Sequence, residues 1–191
     1  MFTTPCKLVL ALLLALPLIA DPRVIAGAKR QVGVTRGYDP AYRRIAYPNG
    51  DVPRETGVCT DVIIRAYRHA GADLQKLVHE DMKGNFSKYP RNWGLRKPDT
   101  NIDHRRVPNL ATFFTRRGGK LAVTRRGADY QPGDVVTWRL SSGVPHIGLV
   151  SDVRARGTDR YLVVHNIGAG AQLEDVLFAY TLTGHYRWRP R

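Results

Sequence analysis

Cysteine is almost missing from this chain, with two in 191 residues. Two thiols cannot staple a disulfide-rich scaffold or fill a four-thiolate zinc ribbon. Acidic residues are also scarce: 16 Asp and Glu stand against 30 Lys and Arg, a formal net charge of +14. The longest apolar run, Leu8–Ala20, has 13 residues and is interrupted by Pro17, whereas a membrane-spanning helix needs roughly 20. Internal repeats, low-complexity tracts and a linker that would split the chain are absent too. What remains is one basic globular domain. The chain is 43% hydrophobic, with 18 Gly and 12 Pro spread along it, which suits a packed core and not a charge-extended coil.

The N-terminal run reads as a secretory signal peptide. Lys7 provides the positive start, Leu8–Ala20 the apolar middle and Ala20 the small residue before Asp21-Pro22, the order that export signals follow. The expected mature chain is 21–191, exported to the periplasm or secreted, with no stable membrane span after cleavage. Cys6 leaves with the signal, so the mature domain carries a single thiol, Cys59, in a compartment where thiols pair, oxidise or are kept for their reactivity.

The remaining sequence divides into two halves of different character. Asp21-Pro22 is a capped helix start, and Val24, Ile25, Ala28 and Val32 recur at helical spacing up to Gly33. Residues 36–57, rich in Gly, Pro, Asn, Asp and Tyr, form a long approach loop of the kind that often serves function. Cys59 then opens a second helix whose Val62, Ile63, Ala66, Tyr67 and Ala70 make one apolar face until Gly71. A further turn or two is expected over 74–82. Residues 83–108 are a second long connection, and Leu110 to Arg117 is a short helix stopped by Gly118-Gly119. Beyond the turn Gln131-Pro132-Gly133-Asp134 the pattern changes to short strands, at 135–138, 146–150 and 161–165, with two more near 177–183 and 185–188. Helices first and an antiparallel meander last is an α+β order.

A thiol at a helix N-terminus meets unpaired backbone N–H groups and the positive end of the helix dipole, both of which favour thiolate. A nucleophile of this kind needs a base to take its proton and return it to a leaving group. Of the six histidines, His146 opens a strand directly after Ser142-Gly143-Val144-Pro145, where a side chain stands at a sheet rim. His165 ends the next strand, so antiparallel pairing brings both to one rim. Either His165 or Asn166 can then fix the His146 tautomer, as the third member of a triad does. Tyr38 or Tyr47 of the approach loop lines the expected cleft. Asp61 raises the thiol pKa by its charge and either receives a substrate amine or pairs with an arginine. His79, Glu80, Asp81, Asp103 and His104 match no established metal-ligand spacing, and Gly168-Ala169-Gly170 lacks the following helix of a phosphate loop. No cofactor or metal is expected.

Gly57-Val58-Cys59-Thr60-Asp61, Gln131-Pro132-Gly133-Asp134-Val135-Val136, His146-Ile147-Gly148-Leu149-Val150 and His165 follow the order of elements in NlpC-like and CHAP-type papain-fold hydrolases, which the chain therefore resembles. Over nearly all of its mature length it is more similar still to the bacterial "domain of unknown function 1287" family of exported proteins. Leu77-Val78-His79-Glu80-Asp81-Met82, Asn101 to Leu110 and His165-Asn166-Ile167-Gly168-Ala169-Gly170 carry that likeness. The resemblance implies a papain-like core of helices on a C-terminal antiparallel sheet, with Cys59 as nucleophile, His146 as base and His165 as the polar third residue. The cell-wall peptidases usually carry Asp-Cys-Ser-Gly where this chain has Val58-Cys59-Thr60-Asp61, a departure that bears on substrate more than on fold.

The expected activity is hydrolysis of an amide bond in the peptide part of peptidoglycan. The alternatives are a non-catalytic envelope-binding module, and a thiol acyltransferase or lipid-ester hydrolase on the same scaffold. The 23 arginines fit attraction to peptidoglycan or another anionic envelope polymer. They do not point to nucleic acid, because no aromatic-basic module or heptad accompanies them.

Overall fold

A computed structural model describes residues 21–190, so the expected signal peptide lies outside the described residues. The first half supplies four helices: α1 (Pro22–Lys29), α2 (Cys59–His69), α3 (Leu74–Asn85) and α4 (Val107–Arg116). The second half supplies six strands: β1 (Lys120–Leu121), β2 (Val135–Arg139), β3 (Pro145–Arg154), β4 (Tyr161–Asn166), β5 (Ala171–Glu174) and β6 (Thr181–Tyr186). They form one antiparallel sheet in the order β1-β6-β2-β3-β4-β5. The class is α+β. Among the described residues no helix is long and apolar enough to cross a membrane.

Helices α1 and α3 begin at a capping aspartate, and α4, which starts at Arg106, has Pro108 in its first turn but no side-chain cap. Asp21 accepts the backbone N–H of Arg23, with Pro22 in the first turn, and Asp73 accepts that of Gln75. At α2 the N-cap, Val58, has no side-chain acceptor; Asp61 reaches back instead and takes the Val58 N–H at 2.6 Å. An acidic residue in the first turn also suits the helix dipole. The helix is buried along nearly its whole length, with Val62, Ile63, Ala66 and Tyr67 all closed to solvent.

The sheet has a core on each face. Val135, Ile147, Leu149, Val164 and Tyr186 meet the helices. On the other face Tyr130, Val136, Trp138, Val150, Val163 and Leu177 form a second cluster, joined at its margin by Phe178, Tyr180 and Leu182. This second cluster explains where the sequence expectation of two final strands departs from the fold. The run from Val176 to Tyr180 is not a strand; it folds over the sheet, where the Leu177 carbonyl accepts the Trp138 indole N–H at 3.0 Å. The pairing strand β5 lies earlier, and Gly184 continues β6 across the break that was expected between strands 177–183 and 185–188. A Cβ at Gly184 would sit 2.6 Å from the Thr137 hydroxyl, so only glycine lets the two strands approach there.

The approach loop over 36–57 is tied down by α2 and α3. Arg65 pairs with Asp51 and donates to the carbonyls of Val52, Pro53 and Thr56. Gln75 accepts from Gly50 and donates to Ala46 and Thr100. A segment without regular structure thus has its backbone groups satisfied by buried side chains.

Candidate active site

The sequence pairs Trp138 with His146 across β2 and β3, and Leu149 with Val164 across β3 and β4. That register sets His146 and His165 on the same sheet face as diagonal neighbours, with the side-chain-free Gly148 opposite His165. His146 Nε2 lies 2.9 Å from His165 Nδ1, and His165 Nε2 lies 2.8 Å from Glu174 Oε2. Trp138 covers the pair, its ring stacked on His146 at 5.6 Å between centroids. Both imidazoles are buried.

One arrangement of protons satisfies this chain when both rings are neutral. A carboxylate only accepts, so His165 carries its proton on Nε2 and offers Nδ1 as acceptor. His146 must then donate from Nε2, which leaves its Nδ1 as the basic nitrogen. Burial holds His146 down to about 3, with the neighbouring His165 acting in the same direction. Burial also lowers His165, against the opposing pull of Glu174.

Cys59 reaches the same rim from the helix side. It is the first residue of α2 and 5% exposed. The backbone N–H groups of Ile147, Thr60 and Cys59 itself face its sulfur and favour the thiolate, but burial outweighs them and pushes the thiol up to about 12, helped by the charge of Asp61. Ile147 directly follows His146, so the backbone that meets the sulfur adjoins that of His146, whose side chain stands on the sheet face of Trp138. No hydrogen bond joins Cys59 to His146. At rest both groups are neutral.

A cavity of about 260 Å³ opens on Cys59. Its walls include Tyr38 and Pro40 from the approach loop, Trp93, Arg105 and Arg106 from the second connection, and Val144-Pro145 just before His146. The Tyr38 phenol approaches the sulfur, and burial raises it to about 12, with Cys59 contributing. Two long connections and one turn thus meet over the thiol.

The other sequence-derived candidates take different places. Asn166 does not reach His146; it donates to the carbonyls of Gly37 and Gly57 at 3.1 and 3.0 Å and so pins both ends of the approach loop. Both Asp61 oxygens are engaged, by the Val58 N–H and by Arg105, whose Nε and Nη2 each stand 3.0 Å from them. Arg105 also holds the carbonyls of Ala41 and Asp39. Asp61 is therefore spent on structure, and of its two expected roles the geometry gives the arginine pair. Tyr47 does not line the cavity; its ring packs edge-on against His79 at 5.2 Å. Glu174, Trp138 and Trp93 escaped sequence reasoning. A carboxylate two residues beyond the position paired with His165 was the available signal for Glu174.

A family model described as "Domain of unknown function (DUF1287)" matches residues 25–188. The chain belongs to the DUF1287 family. The match runs from within α1 to beyond β6 and includes Cys59, His146, His165 and Glu174. A relative of this DUF1287 protein is the "Uncharacterized protein YijF" of Escherichia coli (strain K12), 59% identical over 163 residues, which cover 85% of this chain and 78% of the relative.

Proposed function

We propose that this protein is an exported cysteine hydrolase with a papain-like core, and that it cleaves an amide bond in the peptide part of peptidoglycan. The observation that carries the reading is the buried chain His146–His165–Glu174, which starts one residue before Ile147, whose backbone N–H faces the sulfur of the helix-borne Cys59. A thiol with only an apolar packing role has no need of an ordered imidazole pair on the strand that its sulfur meets.

In this reading the Cys59 sulfur attacks the scissile carbonyl carbon while its proton passes to His146 Nδ1. His165 and Glu174 orient the resulting imidazolium and stabilise its charge. The carbonyl oxygen becomes an oxyanion held by the Cys59 N–H. Collapse breaks the C–N bond, the amine leaves with the proton from His146, and water then hydrolyses the thioester with His146 as base. The neutral resting pair means that charge separates only as the bond forms, and contacts of this kind often tighten only once substrate is bound.

A second reading has its own support. A thiol pushed up to about 12 by burial is a poor resting nucleophile, which favours a non-catalytic module binding anionic envelope polymers. Muropeptides incubated with wild type and with Cys59→Ala, compared by mass spectrometry, separate the two. A new product that requires Cys59 is expected; identical profiles would establish the binding module.

A further inference from the structure

We propose that Arg106 is the anion-recognition residue of the Cys59 cavity, taking a carboxylate carried by the substrate next to the bond that Cys59 attacks. The inference deepens the hydrolase reading and rests on it for the position of that bond.

Arg105 and Arg106 both line the cavity, and they are used in opposite ways. Arg105 is 3% exposed in its side chain and is committed to Asp61 and two carbonyls. Arg106 makes no side-chain hydrogen bond among the described residues, and its buried Nη1 is without a partner. The nearest carboxylate oxygen, Asp103 Oδ1, stands 3.9 Å away and is itself unpartnered, too far for a hydrogen bond. Burial raises Asp103 to about 6, which weakens it further as a counter-ion. The guanidinium is nevertheless held in place, lying 4.2 Å over the centre of the Trp93 ring, a cation–π contact that fixes its plane.

The Arg106 guanidinium is partly buried, at 15% exposed, and its Nε and Nη2 make no hydrogen bond among the described residues, so they are open to an anion that enters the cavity. Its planar fork matches a carboxylate with two parallel N–H···O bonds. The remaining walls near Cys59 are mainly apolar, with Pro40, Val107, Pro108, Val144 and Pro145 among them, so among the described residues a carboxylate entering this cavity meets in Arg106 a cation without a hydrogen-bonded counter-ion. Peptidoglycan stem peptides carry carboxylates that some bacteria leave free and others convert to carboxamides. The inferred substrate class is the free-acid form.

The test uses Cys59→Ala, which binds without turnover, and two probes: N-acetyl-L-alanyl-D-glutamate with its γ-carboxyl capped as the methylamide, and the same compound with its α-carboxylate as the carboxamide. Titration followed by the Trp93 indole resonance in NMR, assigned with Trp93→Phe, should give a preference for the acid of roughly ten- to a hundredfold, as a charge-assisted bidentate contact supplies. Adding Arg106→Gln should reduce that preference to near unity while amide binding stays unchanged, and Arg106→Lys should retain part of it. Equal binding of acid and amide by Cys59→Ala, or a preference that survives Arg106→Gln, overturns the assignment. If Arg106→Gln fails to fold, the acid-to-amide ratio in Cys59→Ala and a Trp93 shift seen with the acid alone decide the matter. Failure of wild type to cleave muropeptides, with the preference intact, would remove the hydrolase reading and leave the subsite standing.

Discussion

Cys59 and His146 are opposed by their surroundings as much as they are assembled by them. The helix N-terminus and three backbone N–H groups favour a thiolate, and burial overrides them. The same burial strips His146 of basicity. In the proposed hydrolase, catalysis depends on groups that stabilise the imidazolium once it forms, and Glu174, bonded to His165, is the charged one among them. Glu174→Gln keeps the shape of the side chain but removes the charge from a hydrogen bond worth about 1.5–3 kcal/mol. Steady-state assays should show kcat reduced on the order of ten- to a hundredfold with KM little changed. His165→Ala should cost more, because it breaks the tautomer assignment of His146, and a loss of at least about a hundredfold is expected. An unchanged kcat in both variants would mean that the histidine pair is structural.

Two buried ion clusters lock elements together, and each predicts a stability loss. Asp61 closes the first turn of α2 and, through Arg105, holds the approach loop and the second connection over the cavity. Asp134, fully buried at the start of β2, binds His185 at 2.7 Å and Arg187 at 2.6 Å and so fastens the far end of β6. Removing one partner leaves the other charge buried without compensation, at a cost of about 3–5 kcal/mol. Denaturant unfolding of Asp61→Ala and of Asp134→Ala should report losses of that order, whereas Lys76→Ala, from an exposed pair on α3, should change stability by less than about 0.5 kcal/mol. Asp61→Ala should also impair substrate binding, because the cavity walls lose their anchor. The helices themselves were legible in the sequence: cap residues and 3.6-residue spacing located α1, α2 and α4 to within a few residues. Helix α3 is longer than the turn or two expected, since Leu74, Val78 and Met82 bury its inner face. The C-terminal strands were less legible, because the apolar run at 176–180 carries no local mark telling strand from lid. Its place was decided by the exposed face of the sheet that needed covering.

At the scale of the whole molecule the basic excess changes meaning. Several arginines that look like surface charge satisfy buried groups: Arg65 and Arg105 hold carbonyls of the approach loop, and Arg187 pairs with Asp134 in the turn before β2. The titration of buried histidines should govern stability in acid. His104 and His146 are each held down to about 3 and His165 is lowered as well, burial being the main cause in all three. Groups whose folded pKa lies below the unfolded value near 6.5 contribute stability that is fully present above about pH 6.5 and is lost as pH falls toward 3. Asp103, raised to about 6, acts in the opposite direction, but it is one group against three. Thermal melts should therefore show the midpoint falling steadily below about pH 6; a flat profile between pH 7 and 4 would contradict the buried placement of these rings. Export is tested separately. Intact mass of protein recovered from a periplasmic fraction should begin at Asp21, and a mass that includes residues 1–20 would refute cleavage.

The sequence by itself determined the α+β order, the helix that begins at Cys59 and the two histidines that fall to neighbouring strands. Those features follow from local periodicity, caps and turn residues, which depend on near neighbours along the chain. Only the tertiary structure decided that His165, and not Asn166, meets His146, since a one-residue difference in a strand reverses the face on which a side chain stands. It also decided that Glu174 ends the proton chain, that Asp61 is spent on Arg105, and that Arg106 beside it is left with free donors. Each of these depends on which distant groups share a buried space, and in that space an unpaired charge is costly enough to dictate its partners.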